Sequence, residues 1–150
     1  MSQVQEYVVG FLFNHERDMV VLIQKTKPKW QAGYLNGVGG KIESKDVDNH
    51  HLPMTNAMVR EFLEETGVKT YHDDWRNFAT MRGKDWVVYC FVCFDTNALN
   101  NVSTTSEERI VVVPISKLKD YQVLSNIPWL LPMALDENMG NDPFFANIFY

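Results

Sequence analysis

The chain has 150 residues, enough for one domain with a sizeable core. It is 45% hydrophobic and 22% charged, with few glycines and prolines, which is the composition of an ordinary soluble domain. A formal net charge of −5 argues against a nucleic-acid polymer as partner, because such binding needs a basic surface.

The segment Met1–Glu6 has no basic stretch followed by an apolar one, so it does not read as a secretory signal. Tyr7–Phe13 is apolar and β-prone, Asn14–Asp18 reads as a turn, and Met19–Gln24 is apolar again, predicting a hairpin. Thr26–Leu35 reads as a loop, and Val38–Ile42 as a short segment after it. Ser44–Pro53 is polar and carries His50 and His51, to which no role is assigned; it reads as a surface loop. From about Thr55 to Thr66 the pattern turns helical, with Met58, Val59, Phe62 and Leu63 on a core face and Gly67 as the stop.

Arg76–Met81 and Trp86–Asp95 read as paired strands around a turn at Arg82–Asp85. Trp86–Phe94 is the longest apolar run and, at nine residues, is far too short to span a bilayer. Without a membrane segment, a cytoplasmic location is expected. Cys90 and Cys93 lie in this strand at an odd separation, on opposite faces, so they cannot share a metal or a disulfide there. Two buried structural thiols are expected.

Thr96–Ser106 reads as a polar loop, Ile110–Val113 as a strand ended by Pro114, and Ser116–Tyr121 as one helical turn. Ser125–Glu137 reads as a helix despite Pro128 and Pro132. The tail Asn138–Tyr150 carries four aromatic residues, Phe144, Phe145, Phe149 and Tyr150, more than a disordered end usually has. Strands outnumber helices and hairpins alternate with helical segments, so a mixed sheet packed by helices is expected, in the α/β or α+β class.

The chemistry concentrates between residues 40 and 68. Glu61, Glu64 and Glu65 stand at i, i+3 and i+4 of the predicted helix, so their carboxylates can converge off one face. Like charges at that density repel by roughly 0.2–0.5 kcal/mol per exposed i,i+4 pair, and a divalent cation is the natural compensation. Mg²⁺ suits such a site, since it takes hard oxygen ligands at about 2.0–2.1 Å and keeps waters and substrate phosphates in its shell. A backbone carbonyl at the Gly39-Gly40 turn is a further candidate ligand, and Lys41 a candidate phosphate contact.

The block Gly40-Lys41-Ile42-Glu43, with Arg60-Glu61-Phe62-Leu63-Glu64-Glu65-Thr66-Gly67-Val68 after it, resembles the Nudix box, G-x5-E-x7-R-E-U-x-E-E-x-G-U with U aliphatic. The second half matches at every fixed position except Phe62. In the first half Asp46 stands where the pattern has Glu, and 13 residues rather than seven separate it from Arg60. The extra six fall in Val47–Pro53.

The resemblance implies a Nudix-type α/β/α sandwich with a mixed β-sheet, a single domain over residues 1–150, and Mg²⁺-dependent hydrolysis of a diphosphate linkage, with Mn²⁺ as a substitute. It implies Glu61, Glu64 and Glu65 as metal ligands with Gly40, and Glu61 or another glutamate as base. Glu43, Glu107 and Glu108 are further carboxylates near the positions such a site uses. Arg60 has two readings, a phosphate contact or an ion pair to Asp46 that orients the catalytic loop.

The order W/L-N-G-x-G-G-K around Asn36 resembles the mutator-type branch, which hydrolyses 8-oxo-dGTP, and Asn126 before the last helix resembles its second base-reading position. An Asn presents a donor and an acceptor side by side, which suits a purine. Trp30, Tyr34, Trp86 and Trp129 are candidate stacking surfaces. The resulting expectation is a purine nucleoside triphosphate pyrophosphatase. A hydrolase of ADP-ribose, NADH or another dinucleotide, and a nucleotide sensor without catalysis, stand as alternatives. The partner is a small nucleotide and no membrane, and the resemblance admits a homodimer.

Overall fold

A computed structural model describes residues 3–137 and 143–147. One mixed sheet of eight strands organises them: β1 (Gln5–Phe13), β2 (Met19–Gln24), β3 (Leu35–Asn36), β4 (Val38–Lys41), β5 (Arg76–Arg82), β6 (Trp86–Phe94), β7 (Ile110–Pro114) and β8 (Phe144–Asn147). The main order is β3-β2-β1-β6-β5-β8, with β4 paired to β1 and β7 to β2. The predicted hairpin closes antiparallel at Leu12↔Val21, while β1 and β6 run parallel from Gln5↔Trp86 to Phe13↔Phe94.

Three helices cover the sheet: α1 (Pro53–Thr66), α2 (Thr96–Asn101) and α3 (Ile127–Ala134). Two apolar cores follow from the strand period of two. On one face Ala57, Met58, Val59 and Phe62 of α1 and Ala98 and Leu99 of α2 pack on Val8, Leu12, Phe91 and Cys93. On the other, Ile127, Leu130, Leu131 and Ala134 of α3 pack on Val9, Phe11, Phe78 and Cys90. Helices on both faces of a mixed sheet make the expected α/β/α arrangement. The two cysteines are buried on opposite faces, in separate cores, and both are free. Among the described residues no helix is long and apolar enough to cross a membrane.

Several expectations are corrected. Pro53 belongs to α1 as its first residue, where a missing N–H costs nothing, rather than to the loop. Leu63 is 41% exposed, one step round the helix from Phe62 and off the core face. The loop after β6 contains α2, whose start is capped by Asp95 accepting from the Ala98 N–H at 2.9 Å. Within the tail, Phe144–Asn147 pairs parallel to β5. Phe149 and Tyr150 lie outside the described residues.

Gly67 ends α1 at φ 77°, its N–H donating to the Leu63 carbonyl at 2.9 Å, as the sequence suggests. Phe62 anchors the same helix, fully buried with its ring 5.3 Å from that of Trp75. Phe62→Ala is expected to cost about 3–5 kcal/mol. A lowered urea midpoint with an unchanged slope would show it; a midpoint near wild type would mean that α1 is held by something else.

Candidate active site

Helix α1 presents Arg60, Glu61, Glu64 and Glu65 beside the end of β4. Arg60 spends all five of its N–H donors. Nε and Nη2 donate to the two oxygens of Asp46 at 2.8 and 2.9 Å, and Nη2 also to the Lys41 carbonyl at 3.1 Å. Nη1 donates to Glu61 Oε1 at 3.0 Å and Glu64 Oε2 at 3.3 Å. All five donors thus meet protein acceptors, and of the two readings of Arg60 the ion pair to Asp46 is the contact that forms. The ion pair to Asp46 forms despite the shorter side chain and the extra residues.

Asp46 is only 3% exposed. It closes the turn Ser44–Asp46, accepting from the Glu43 N–H at 2.8 Å. Burial pushes its carboxyl upward, but the Arg60 guanidinium and the Glu43 N–H outweigh that and hold it below its ordinary value.

Glu61 is 8% exposed, pressed against Gly40. Burial pushes its carboxyl above the ordinary range, opposed by Arg60 and reinforced by Glu64 and Glu65. A Cβ on Gly40 would lie 2.5 Å from Glu61 Oε1, inside any permitted contact. Gly40→Ala must therefore swing the Glu61 carboxylate away, and a displacement near 1 Å is expected to cost about 100-fold in turnover. Steady-state rates on protein with a native CD spectrum test this; full activity would mean that Glu61 tolerates movement.

Glu65 points elsewhere. The Ser106 hydroxyl donates to its Oε2 at 3.3 Å, and its carboxyl is raised by burial and by the charge of Glu108. The three glutamates therefore do not meet at one point as they stand: Glu61 and Glu64 share Arg60, and Glu65 faces the loop before β7. Among the described residues, no three His, Cys, Asp or Glu side chains are arranged to enclose an ion. Glu43 lies at the rim, 4.0 Å from Arg60 Nη1 and 3.2 Å from Lys45 Nζ.

Glu108 is buried and engaged at both oxygens. Oε1 pairs with Lys25 Nζ at 3.3 Å, and Oε2 accepts from the Thr26 N–H at 2.6 Å and its hydroxyl at 3.1 Å. Burial opposes its ionisation, but these donors prevail and lower its pKa. It serves here as a strut for the chain after β2. Glu107 is exposed.

From the Gly39-Gly40 end a cleft of about 700 Å³ runs over β1 and β4, within the range of small-ligand sites. Trp30, Asn36, Gly40, Lys41, Trp86 and Asn126 are in its wall. The two asparagines come together because Leu35 bridges to 122–124, its N–H donating to the Gln122 carbonyl at 2.8 Å and its carbonyl accepting from Leu124 at 3.0 Å. Asn36 Oδ1 accepts from the Gly37 N–H at 2.8 Å. Asn126 Nδ2 reaches only the Met81 sulfur at 3.7 Å, and Asn126 Oδ1 is buried with no partner.

Of the four candidate stacking aromatics, Trp30 and Trp86 line the cleft. Tyr34 packs against the α3-side core, and Trp129 is on the outer side of α3, 37% exposed. Sequence reasoning missed Asn56, His72 and Ser106, which support the site from outside it. Nothing in the sequence marks His72 or Ser106, because their partners lie 16 and 41 residues away.

A NUDIX domain family model matches residues 4–131. No curated protein matches the sequence. Among solved structures, a MutT from work on Aliivibrio salmonicida and Vibrio cholerae superposes with a TM-score of 0.68 at 20% identity, covering 88% of this chain and 98% of that one. The MutT NUDIX hydrolase of Burkholderia pseudomallei gives 0.67 at 15%, covering 88% and 98%. The NUDIX domain of Shewanella oneidensis NrtR, complexed with ADP ribose, gives 0.67 at 17%, covering 89% and 87%.

Proposed function

The chain belongs to the NUDIX family, whose members hydrolyse phosphoanhydride bonds, and from that premise we propose that it converts a purine nucleoside triphosphate, oxidised or ordinary, to monophosphate and pyrophosphate. One observation carries this substrate class. An unpaired buried amide oxygen on Asn126 stands in the wall of a cleft that Gly40, the glycine against which Glu61 is pressed, also lines. An unmet buried acceptor costs about 1–3 kcal/mol, which a base N–H would relieve. Asn36 and Asn126 read the base edge, Trp30 and Trp86 flank it, and Lys41 meets phosphate at the other end.

The family generally uses divalent metal ions, and the donor set here fits Mg²⁺ or Mn²⁺: carboxylates on Glu61, Glu64 and Glu65, all hard oxygens, with the Gly40 carbonyl as the further candidate ligand. Two of these, Glu61 and Glu65, are carboxylates whose charge is costly where it stands. When bound, the metal neutralises phosphoryl charge and acidifies water. Glu61 is the residue placed to take the proton of the attacking water. Arg60 fixes the direction of its Oε1, which is what a positioned proton acceptor needs. Lys41 at the strand end adds a point charge for phosphate.

The test is a hydrolysis panel with Mg²⁺: 8-oxo-dGTP, the common dNTPs, ADP-ribose, NADH and a diadenosine polyphosphate, with Glu64→Gln as control. Pyrophosphate from a purine triphosphate, absent in the control, is the expected result. Asn126→Ala should then raise KM for that nucleotide about tenfold, the loss of one buried hydrogen bond, with kcat little changed. An unaltered KM removes Asn126 from base recognition. AMP from ADP-ribose with triphosphates untouched would select the dinucleotide reading, which the likeness to the ADP-ribose-bound NrtR domain favours. Binding without turnover would select a sensor.

A further inference from the structure

The six residues added between Asp46 and Arg60 lengthen the one connection that must not be slack, since Asp46 orients Arg60 and Arg60 orients Glu61 and Glu64. Longer loops are looser unless tied down. Several of the ties on this one converge on a single side chain. Asn56, in the first turns of α1, donates from Nδ2 to the Asp46 carbonyl at 2.8 Å and to Asp48 Oδ2 at 2.9 Å. The other oxygen of Asp48 accepts the N–H groups of His50 and His51 at 2.8 and 2.9 Å, folding the loop back on itself. Those two N–H groups are the first cause of the Asp48 carboxyl falling to about 2.

With both Nδ2 hydrogens committed, Asn56 Oδ1 is the acceptor for His72 Nε2 at 2.5 Å, and that fixes the proton on Nε2. The His72 ring in turn stacks on His51 of the loop, centroids 3.5 Å apart and 9° from parallel. Asn56 thus joins the start of the insertion, its middle, and the turn His72–Asp74 before β5.

The structure assigns to Asn56 the role of positioning residue for catalysis, clamping the inserted loop so that Asp46 holds Arg60 in register with Glu61 and Glu64. Asn56 acts through the Asp46 backbone and does not line the cleft, so its loss should reach kcat and leave nucleotide KM alone. Supporting residues one step behind a catalytic set are worth about 10–100-fold, and the lower figure is expected for a residue two bonds removed.

The experiment compares wild type, Asn56→Ala and His72→Phe by two readouts. Turnover of the purine triphosphate is one. The other is hydrogen exchange of the Arg60 Nε–H followed by nitrogen-edited NMR, which needs no substrate. In Asn56→Ala the Arg60 Nε–H should exchange faster and kcat fall about tenfold with KM within about twofold. His72→Phe, which keeps a ring against His51 but removes one bond, should show the same pattern more weakly. Arg60 exchange equal to wild type, or a change carried by KM alone, overturns the assignment. Should Asn56→Ala fail to fold, His72→Phe decides by the same criteria. The kcat arm rests on the hydrolase reading. A wild type that turns over nothing would sink that reading, while the exchange measurement would still decide this one.

Discussion

Glu61→Gln should lower kcat by about 10³-fold while leaving the fold and nucleotide KM close to wild type, the size expected for losing a positioned proton acceptor. Three constraints bear on this one carboxylate. Gly40 lies against it, the Arg60 Nη1 donates to its Oε1, and it is nearly closed to solvent. Gln keeps the shape and can still accept from Arg60, but it can neither take a proton nor bring negative charge. Burial penalises the native carboxylate, so the neutral amide should not lower Tm by more than the loss of its ion pair with Arg60. The measurement is kcat and KM beside a thermal melt. Activity within tenfold of wild type would move the base to another glutamate, and Glu64→Gln would be the next comparison.

Asp46→Ala should be the most destabilising change in the site. It removes the partner taking two of the five donors of a guanidinium that is 15% exposed, while Glu61 and Glu64 still face its Nη1. Breaking one member of a buried pair costs about 3–5 kcal/mol where the other charge is left alone, and the two remaining glutamates put this change at the lower end. The same pair makes stability depend on acid. Since the folded Asp46 pKa lies below its ordinary 3.8, its contribution is complete above that value. It fades only as the pH falls below 3.8 through the lower folded value. Asp46→Asn should abolish this part of the acid sensitivity. Urea unfolding at pH 7 and pH 3 should therefore show a smaller difference for the Asn variant than for wild type. Equal differences would mean that Asp46 is not the group responsible.

The strands and α1 were legible because each carries its own local signal. Short β-prone apolar runs bounded by polar turns mark β1, β2 and β6, and Met58 and Phe62 four apart mark α1. What failed was local or distant. α2 is six residues long, too short to show a period, and only Asp95 three before Ala98 announces it. β8 is four residues whose place depends on β5, about 65 residues earlier, and local pattern carries no such information. In the site, the identities of Arg60, Glu61, Glu64 and Glu65 were readable from the box, but their directions were not. Arg60 gathers Glu61 and Glu64 while Ser106 takes Glu65, and those bonds depend on where two loops come to rest. The same holds for the aromatic candidates, since whether a Trp faces a cleft or a core is set by packing and not by its neighbours in sequence.

The two thiols give this protein a pair of natural reporters. Both are free, and burial pushes each up to about 12, so neither offers thiolate to a labelling reagent while the fold is closed. Labelling then measures opening. Cys93 answers for the layer of α1 and α2 and Cys90 for the layer of α3, one strand seen from its two sides. Equal labelling rates would mean that both layers come off the sheet in one event. Unequal rates would show which layer breathes first, and whether the catalytic helix belongs to the slower one.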